Sequence, residues 1–257
     1  MRLTIVGCSG SFPGPDSPAS CYLLEARYDD GTGERTWRVL VDLGSGALGA
    51  LQRYVDPLEI DAVLLSHLHA DHCLDLCGYY VMRRYHPDGA QPRIPVWGPV
   101  DTADRMARAY DLPAEPGMRE EFDFHDWDGP IDVGPFHVEP VPVDHPIAAY
   151  GLRISVDGAV LAYTGDTGPC AVLDELARDA DLLLAEASFL SSAQNPPALH
   201  LTGTECGQVA TRAGARSLVL THIPPWHDPQ VALTEAQGHY DGPIDLARAG
   251  ATYELGG

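Results

Sequence analysis

Ser66-His67-Leu68-His69-Ala70-Asp71-His72 places three imidazoles and a carboxylate within six residues. It follows directly on the apolar run Asp61-Ala62-Val63-Leu64-Leu65, which reads as a buried strand. Residues beyond Asp71 can form a helix, with Asp71 at or near its start. A strand end followed by a turn lets His67 and His69 converge on one point. Asp71 and His72 can then face a second point a short distance away. One cation rarely takes four ligands from so short a stretch, because the backbone cannot wrap that tightly. Two cations sharing the segment is the easier geometry, and two-metal sites are hydrolytic centres. Taken alone, the segment could also be a polar, His-rich turn on the surface.

Working outward, other ligand-type residues stand at the ends of apolar strands. His145 follows Phe136–Val143, Asp166 follows Val160–Tyr163, and His222 follows Leu218–Thr221. A strand end is a rigid place from which to aim a side chain into a shared site. Each has a duller reading by itself: His145 as a loop histidine, Asp166 as a turn former or helix cap. Together with the 67–72 segment they favour metal. Cys73 and Cys77 are one helical turn apart and could resemble zinc ligands, but read better as small buried residues behind the site helix.

The remaining elements alternate. Strands are expected at Leu3–Val6, Cys21–Ala26, Trp37–Asp42, Ala62–Leu65, Phe136–Val143, Tyr150–Val156, Val160–Tyr163, Leu182–Glu186 and Leu218–Thr221, with two more near Ile244 and Thr252. Helices are expected at Ala47–Tyr54, Asp71–Tyr85, Thr102–Tyr110, Ala171–Arg178 and Thr204–Ala213. This is an α/β pattern of two packed sheets with helices outside. Residues 1–257 read as one domain of two halves, divided near residue 130. The Gly/Pro-rich loop Gly7–Pro18 between two strands is a candidate rim of the site.

No segment approaches the roughly 18 apolar residues that span a bilayer. The apolar part of the N-terminus is too short for a signal peptide and reads as a first strand. Six cysteines in such a chain are expected to be free thiols in a reducing cytoplasm. All sixteen basic residues are arginine, against thirty-seven acidic ones, for a formal charge of −21. A solvated acidic surface explains that charge, and it repels nucleic acid at long range.

The segment Ser66–His72, with His145, Asp166 and His222 downstream, resembles the signature of the metallo-β-lactamase superfamily. The resemblance implies an αββα sandwich. It implies that His67, His69 and His145 hold a first metal and that Asp71, His72 and His222 hold a second, with Asp166 bridging. Asp71 also counts among the catalytic groups. Asp42, in Val41-Asp42-Leu43-Gly44, matches a position that supports the ligand loop, with strand-end turn former as the plainer role. Two divalent ions are expected, zinc first, with manganese and iron also suited to such nitrogen and oxygen donors.

Glu186, in Leu184-Ala185-Glu186-Ala187-Ser188, and His200, in His200-Leu201-Thr202, resemble the pair of ribonuclease Z and related phosphodiesterases, where a glutamate orients a histidine beside the site. A histidine can protonate a departing alkoxide. A helix-flanking His200 and a salt-bridging Glu186 is the structural alternative. The chain departs from ribonuclease Z in two ways. Only twenty residues separate His145 from Asp166, too few for a projecting tRNA-binding arm, and Gly7–Ser20 carries no basic residue. The segments Gly7–Gly10, Gly14–Ser20, His67–Leu76, Arg83–Pro87 and Leu220–Trp226 resemble compact, armless phosphodiesterases described as atypical cyclic-nucleotide phosphodiesterases. That resemblance implies hydrolysis of small phosphodiesters, best of all 3′,5′-cyclic nucleotides such as cyclic AMP, and not of tRNA. The alternatives are a ribonuclease Z-type endonuclease, or a thioester or lactone hydrolase on the same site. Trp226 is a candidate to stack on a base, or else a core aromatic beside the metal loop. Arg83 or Arg84 could reach a phosphate, though a surface salt bridge is the better expectation. No membrane partner is expected; relatives commonly dimerise, so a homodimer is.

Overall fold

The computed structural model of the chain describes residues 1–29, 31 and 33–256. Among them, fourteen strands form two seven-stranded sheets. The first sheet is built from β1 (Arg2–Gly7), β2 (Cys21–Asp29), β3 (Glu34–Val41), β4 (Ala62–Leu64), β5 (Ile94–Gly98) and β6 (Phe122–Asp126), in that order. The second runs from β7 (Ile131–Val133) through β8 (Phe136–Pro142), β9 (Tyr150–Val156), β10 (Ala159–Tyr163), β11 (Leu182–Glu186) and β12 (Leu218–Thr221) to β13 (Ile244–Leu246). The last strand, β14 (Thr252–Glu254), returns to the first sheet and pairs with β1. Both sheets are mixed. β3 to β6 and β10 to β13 are parallel, while the hairpins β1–β2–β3 and β7–β8–β9–β10 are antiparallel.

Side chains alternate across each strand with period two. Val39, Val41 and Leu64 point inward with Leu3 and Ile5, and meet Phe136, Val138, Ile154, Leu161 and Leu184 between the sheets. Leu23, Leu40 and Val63 point outward to α1 (Ala47–Leu51) and α3 (Leu76–Arg84). On the far side, Leu183, Leu218 and Leu220 point to α5 (Val172–Leu176), α6 (Gly203–Ala213) and α7 (Pro229–Gln237). With both faces covered, the strands read as continuous apolar runs rather than as alternating ones. The result is the expected αββα sandwich.

Three differences from the sequence reading have physical causes. The expected helix Asp71–Tyr85 is two helices, α2 (Ala70–Cys73) and α3. They break at Asp75, whose carboxylate accepts the Leu48 N–H at 2.8 Å and whose own N–H donates to the Leu43 carbonyl. Those tertiary bonds outbid helix continuation. The helices expected at Ala47–Tyr54 and Ala171–Arg178 are single short turns. Strands β5, β6 and β7 and helix α7 were not expected. Pro95 disguises β5, β6 is a polar edge strand, and β7 has three residues. α7 carries local start signals: the Asp228 carboxylate caps it and Pro229 opens it. The helix α4 (Thr102–Ala109) lies where expected. Among the described residues no helix is long and apolar enough to cross a membrane, and all six cysteines are free thiols.

The strands β1, β3, β4, β8, β10, β11 and β12 have their C-terminal ends on one edge of the sandwich, because they are mutually parallel within each sheet. The two sheets are tied there by Tyr150 N–H to the Ser66 carbonyl at 3.0 Å and by the Tyr22 hydroxyl against that of Thr221 at 2.8 Å. At the same edge, Gly44 sits so close to the ligand segment that a Cβ would lie 1.9 Å from the Asp71 carbonyl oxygen. Gly44→Ala should therefore destabilise the protein by about 1–3 kcal/mol, read as a lower midpoint in urea. Gly49→Ala on α1, where a Cβ meets nothing within 4 Å, should be neutral or stabilising by up to about 1 kcal/mol. Equal effects would show that the approach to Asp71 is not what requires glycine.

Candidate metal centre

The strand ends gather the ligand-type side chains into two adjacent groups. His67, His69 and His145 form one, and Asp71, His72, Asp166 and His222 the other, with donor atoms in each within 4.8 Å of one another. His69 Nδ1 lies 3.0 Å from His67 Nε2 and 3.2 Å from His145 Nε2. In the second group, His222 Nε2 is 3.1 Å from both His72 Nε2 and Asp71 Oδ2. Asp166 stands between them: Oδ1 is 3.3 Å from His72 Nε2, and Oδ2 is 3.8 Å from His67 Nε2. One carboxylate thus faces both groups.

The other nitrogen of four rings is already engaged, which fixes what each ring presents to the centre. His72 Nδ1–H donates to Asp42 Oδ2 at 2.8 Å. The Ser66 hydroxyl donates to the same oxygen at 2.8 Å and leaves its lone pair for His67 Nδ1–H at 3.1 Å. His145 Nδ1–H donates to the Leu199 carbonyl at 3.0 Å. The Ser188 hydroxyl has one proton. Given to the His222 carbonyl at 2.7 Å, it leaves the oxygen to accept His222 Nδ1–H at 2.8 Å. His67, His72, His145 and His222 therefore all turn Nε2 toward the centre. Ser188 carried no role in the sequence reading: its partner is thirty-four residues away and no local pattern links them.

Lone pairs crowded together are costly unless a cation lies among them. Asp166 Oδ1 is buried with no hydrogen-bond partner among the described residues. Burial, then His72, keeps His67 well below the usual imidazole pKa, and burial lowers His69 and His145 as well. These rings are neutral ligands in waiting. Burial opposes charge on His72, but Asp166 and Asp42 raise its pKa well above the usual value. Burial also favours neutral Asp71 and Asp166, yet the neighbouring His222 and His72 hold both well below the usual carboxylate range. The donor set fits divalent metal.

Glu186, fully buried at the end of β11, lies next to this centre. Its Oε1 accepts His200 Nδ1–H at 2.9 Å and the backbone N–H groups of Thr167 and Leu201 at 3.1 and 3.2 Å; its Oε2 accepts Ser188 N–H at 3.0 Å. With those bonds made, Glu186 orients its neighbours rather than joining a third ligand group. The Phe189 ring meets His200 edge-on at 5.0 Å. Burial lowers the His200 pKa, but the Glu186 carboxylate overcomes it and, with Asp166, raises the value to about 9.

Other expectations resolve as follows. The loop Gly7–Pro18 does rim the centre, with Ser11 N–H 3.4 Å from His222 Nε2. Arg83 is buried, bonded to the Tyr79 hydroxyl and the Pro92 carbonyl. Arg84 pairs with Glu120 and Glu121. Neither arginine faces the centre, and the salt-bridge reading holds for Arg84. Cys73 is buried behind the ligand loop, its thiol on the His69 carbonyl. Trp226 is no core aromatic: it is 62% exposed.

Residues 37–223 match the model of the β-lactamase superfamily domain. The chain belongs to that superfamily. Protein Rv1339 of Mycobacterium tuberculosis is 47% identical over 99% of this chain and 92% of its own length. YhfI of Bacillus subtilis, a probable metallo-hydrolase, is 28% identical over 99% of this chain and 100% of its own; its crystal structure matches with a TM-score of 0.83 at 27% identity, covering 99% of this chain and 98% of that one. Ribonuclease Z of Myxococcus xanthus is 30% identical over 99% of this chain and 98% of its own. As a member of the β-lactamase superfamily, with a His/Asp cluster that could hold metal ions, the protein is a metal-dependent hydrolase.

The Ser188 contact makes a testable demand on this superfamily member. Ser188→Ala leaves His222 free to turn, and should weaken metal retention roughly 10- to 100-fold, read by chelator competition. Ser188→Thr, which keeps the hydroxyl, should restore much of it. Unchanged retention in Ser188→Ala would remove Ser188 from the positioning of His222.

Proposed function

We propose that the protein is a dimetal phosphodiesterase acting on small phosphodiesters, with 3′,5′-cyclic nucleotides such as cyclic AMP as its best substrates. His67, His69 and His145 would hold one ion, Asp71, His72 and His222 would hold the other, and Asp166 would be shared between them. Zinc is the expected metal, with manganese and iron as alternatives. When bound, the metals would activate the attacking water and neutralise charge at phosphorus.

The observation that carries the reading is His200 on Glu186. With Nδ1 bound to the carboxylate at 2.9 Å, His200 keeps a proton on Nε2 to give to the departing ribose oxygen. A pKa raised to about 9 keeps that proton in place at neutral pH. Glu186 also fixes Ser188, and so His222, which couples the acid to the ligand set. Asp71 faces the same space from the ligand loop. Thioester hydrolysis expels a thiolate that needs little help from an acid, so this pair favours phosphodiesters over thioesters.

Small substrates are favoured over tRNA on three grounds. The hairpin β9–β10 turns at Asp157–Gly158 and accounts for the interval between His145 and Asp166 without an arm. The alignment to the Myxococcus ribonuclease Z needs 313 positions for this chain's 257 residues, so that relative carries chain this protein lacks. The charge of −21 opposes a polyanion.

Metal-loaded protein should convert cyclic AMP to AMP and leave a pre-tRNA uncut in the same buffer. Cleavage of the pre-tRNA with inert cyclic AMP would restore the endonuclease reading. Inert diesters with turnover of thioesters or lactones would move the protein to another branch. His200→Ala should keep its metal and lose roughly 10²–10⁴-fold in rate on cyclic AMP, and less on bis(p-nitrophenyl) phosphate, whose leaving group needs little protonation. The acid form exists below the His200 pKa and is lost above it. Wild-type rate should therefore fall on the alkaline side, and His200→Ala should abolish that limb. Equal losses on both substrates would argue for positioning and against proton donation.

A further inference from the structure

Resting on the phosphodiesterase reading, we propose that Phe12 and Trp226 together form a fixed aromatic bracket that receives the base of the nucleotide substrate. Both rings are exposed, Phe12 by 41% and Trp226 by 62%. Their centroids are 5.0 Å apart and their planes tilted by 43°. At that spacing the rings already touch, so nothing can slide between them. They offer one bent apolar surface on which a flat ring can lie against one face and meet the edge of the other.

The bracket begins at the metal centre. Ser11, the residue before Phe12, holds its N–H 3.4 Å from His222 Nε2, and Trp226 follows His222 by four residues. The backbone that carries both rings is held in place. The Ser9 hydroxyl donates to the Phe12 carbonyl at 2.7 Å, and the Phe12 N–H donates to that of Gly10 at 2.7 Å. Across the gap, Gly10 N–H donates to the Ile223 carbonyl at 3.2 Å, and Ser9 pairs with Ile223 as an isolated bridge. A Cβ on Gly10 would lie 2.2 Å from the His222 carbonyl oxygen, so the two loops approach as closely as glycine allows. Pro224 and Pro225 stiffen the second loop, closed by His227 N–H on the Pro224 carbonyl at 2.9 Å. Loops held in this way need little further ordering when a ligand binds.

The chemistry around the bracket selects the occupant. Neither Gly7–Ser20 nor Ile223–Asp228 contains an arginine, whereas Asp16 and Asp228 are present. A second phosphate is disfavoured there. An uncharged π-face is suited to it, and stacking of this kind tolerates any base. The cyclic phosphate would occupy the metal centre, the ribose would bridge, and the base would rest on Phe12 and Trp226.

The test uses the full metal-loaded chain and compares cyclic AMP with 1,3-cyclic glycerol phosphate, a six-membered cyclic diester without a base. In Phe12→Ala and in Trp226→Ala, the ratio of kcat/KM for cyclic AMP to that for the glycerol compound should fall roughly 10- to 100-fold, through KM. Trp226→Phe should recover most of the ratio. Separately, AMP should quench wild-type tryptophan fluorescence, with affinity weakened in Phe12→Ala and the quenching lost in Trp226→Phe. An unchanged ratio in both alanine variants overturns the bracket. Glycerophosphocholine hydrolysed with the same dependence on both rings would make it a cation site instead. If wild type turns over no diester, the phosphodiesterase reading fails, and the AMP titration still decides the bracket: quenching through Trp226 supports it, and none overturns it.

Discussion

Asp42 is fully buried at the end of β3 and accepts four hydrogen bonds: from Ser66 N–H at 2.7 Å, the Ser66 hydroxyl at 2.8 Å, His72 Nδ1–H at 2.8 Å and the Tyr163 hydroxyl at 2.9 Å. A buried carboxylate is tolerable only when its lone pairs are so satisfied. These bonds tie the first residue of the ligand segment, one of its histidines and a strand of the second sheet to one point. Asp42 itself has φ near +59°, a conformation that costs energy in a non-glycine residue and persists because its partners over-determine it. This pin holds both ends of the 66–72 segment.

Glu186 does for the second sheet what Asp42 does for the first. It accepts from Thr167 beside Asp166, from Ser188 behind His222, and from His200 and Leu201. Two buried carboxylates, one at the edge of each sheet, therefore orient nearly the whole centre from behind. The arrangement separates tasks. The strands bring the side chains to one edge, the carboxylates and hydroxyls choose which ring nitrogen faces inward, and the loops at the rim meet the substrate. His200 is the exception that does two jobs, since the contact that fixes its orientation also raises its pKa to about 9.

The acidity of the chain is compatible with the small phosphodiester substrate proposed above. Several of its arginines are engaged in structure: Arg83 with backbone and Tyr79, Arg84 with Glu120 and Glu121, Arg119 with Asp104, Arg212 with Asp174. The loops Gly7–Ser20 and Ile223–Asp228 at the rim carry no arginine for a long polyanion to follow. A compact substrate needs none, because its one phosphate can be met by the ligand cluster and the rest of it by uncharged surface.

Much of this was legible in the chain because the chemistry is local where it matters most. The run of residues 66–72 needs only a strand end and a turn to converge. His145, Asp166 and His222 were marked by the strands before them, and Glu186 and His200 by their resemblance to the pair in ribonuclease Z and its relatives. Strands buried on both faces announced themselves as apolar runs, whereas the Pro-bearing β5, the polar edge strand β6 and the three-residue β7 did not. Other features depend on contacts between distant residues, which a one-dimensional reading cannot contain. Asp75 breaks a helix by bonding Leu48. Ser188 sets the tautomer of His222. Arg83 turns away from the centre, and Phe12 meets Trp226 across two loops. The residue types and the strand ends that carry them can be read from the chain alone. Which nitrogen of each ring is free and which aromatic rings stay exposed emerges only in the packed fold, because those outcomes rest on single hydrogen bonds and close approaches between segments far apart in the chain.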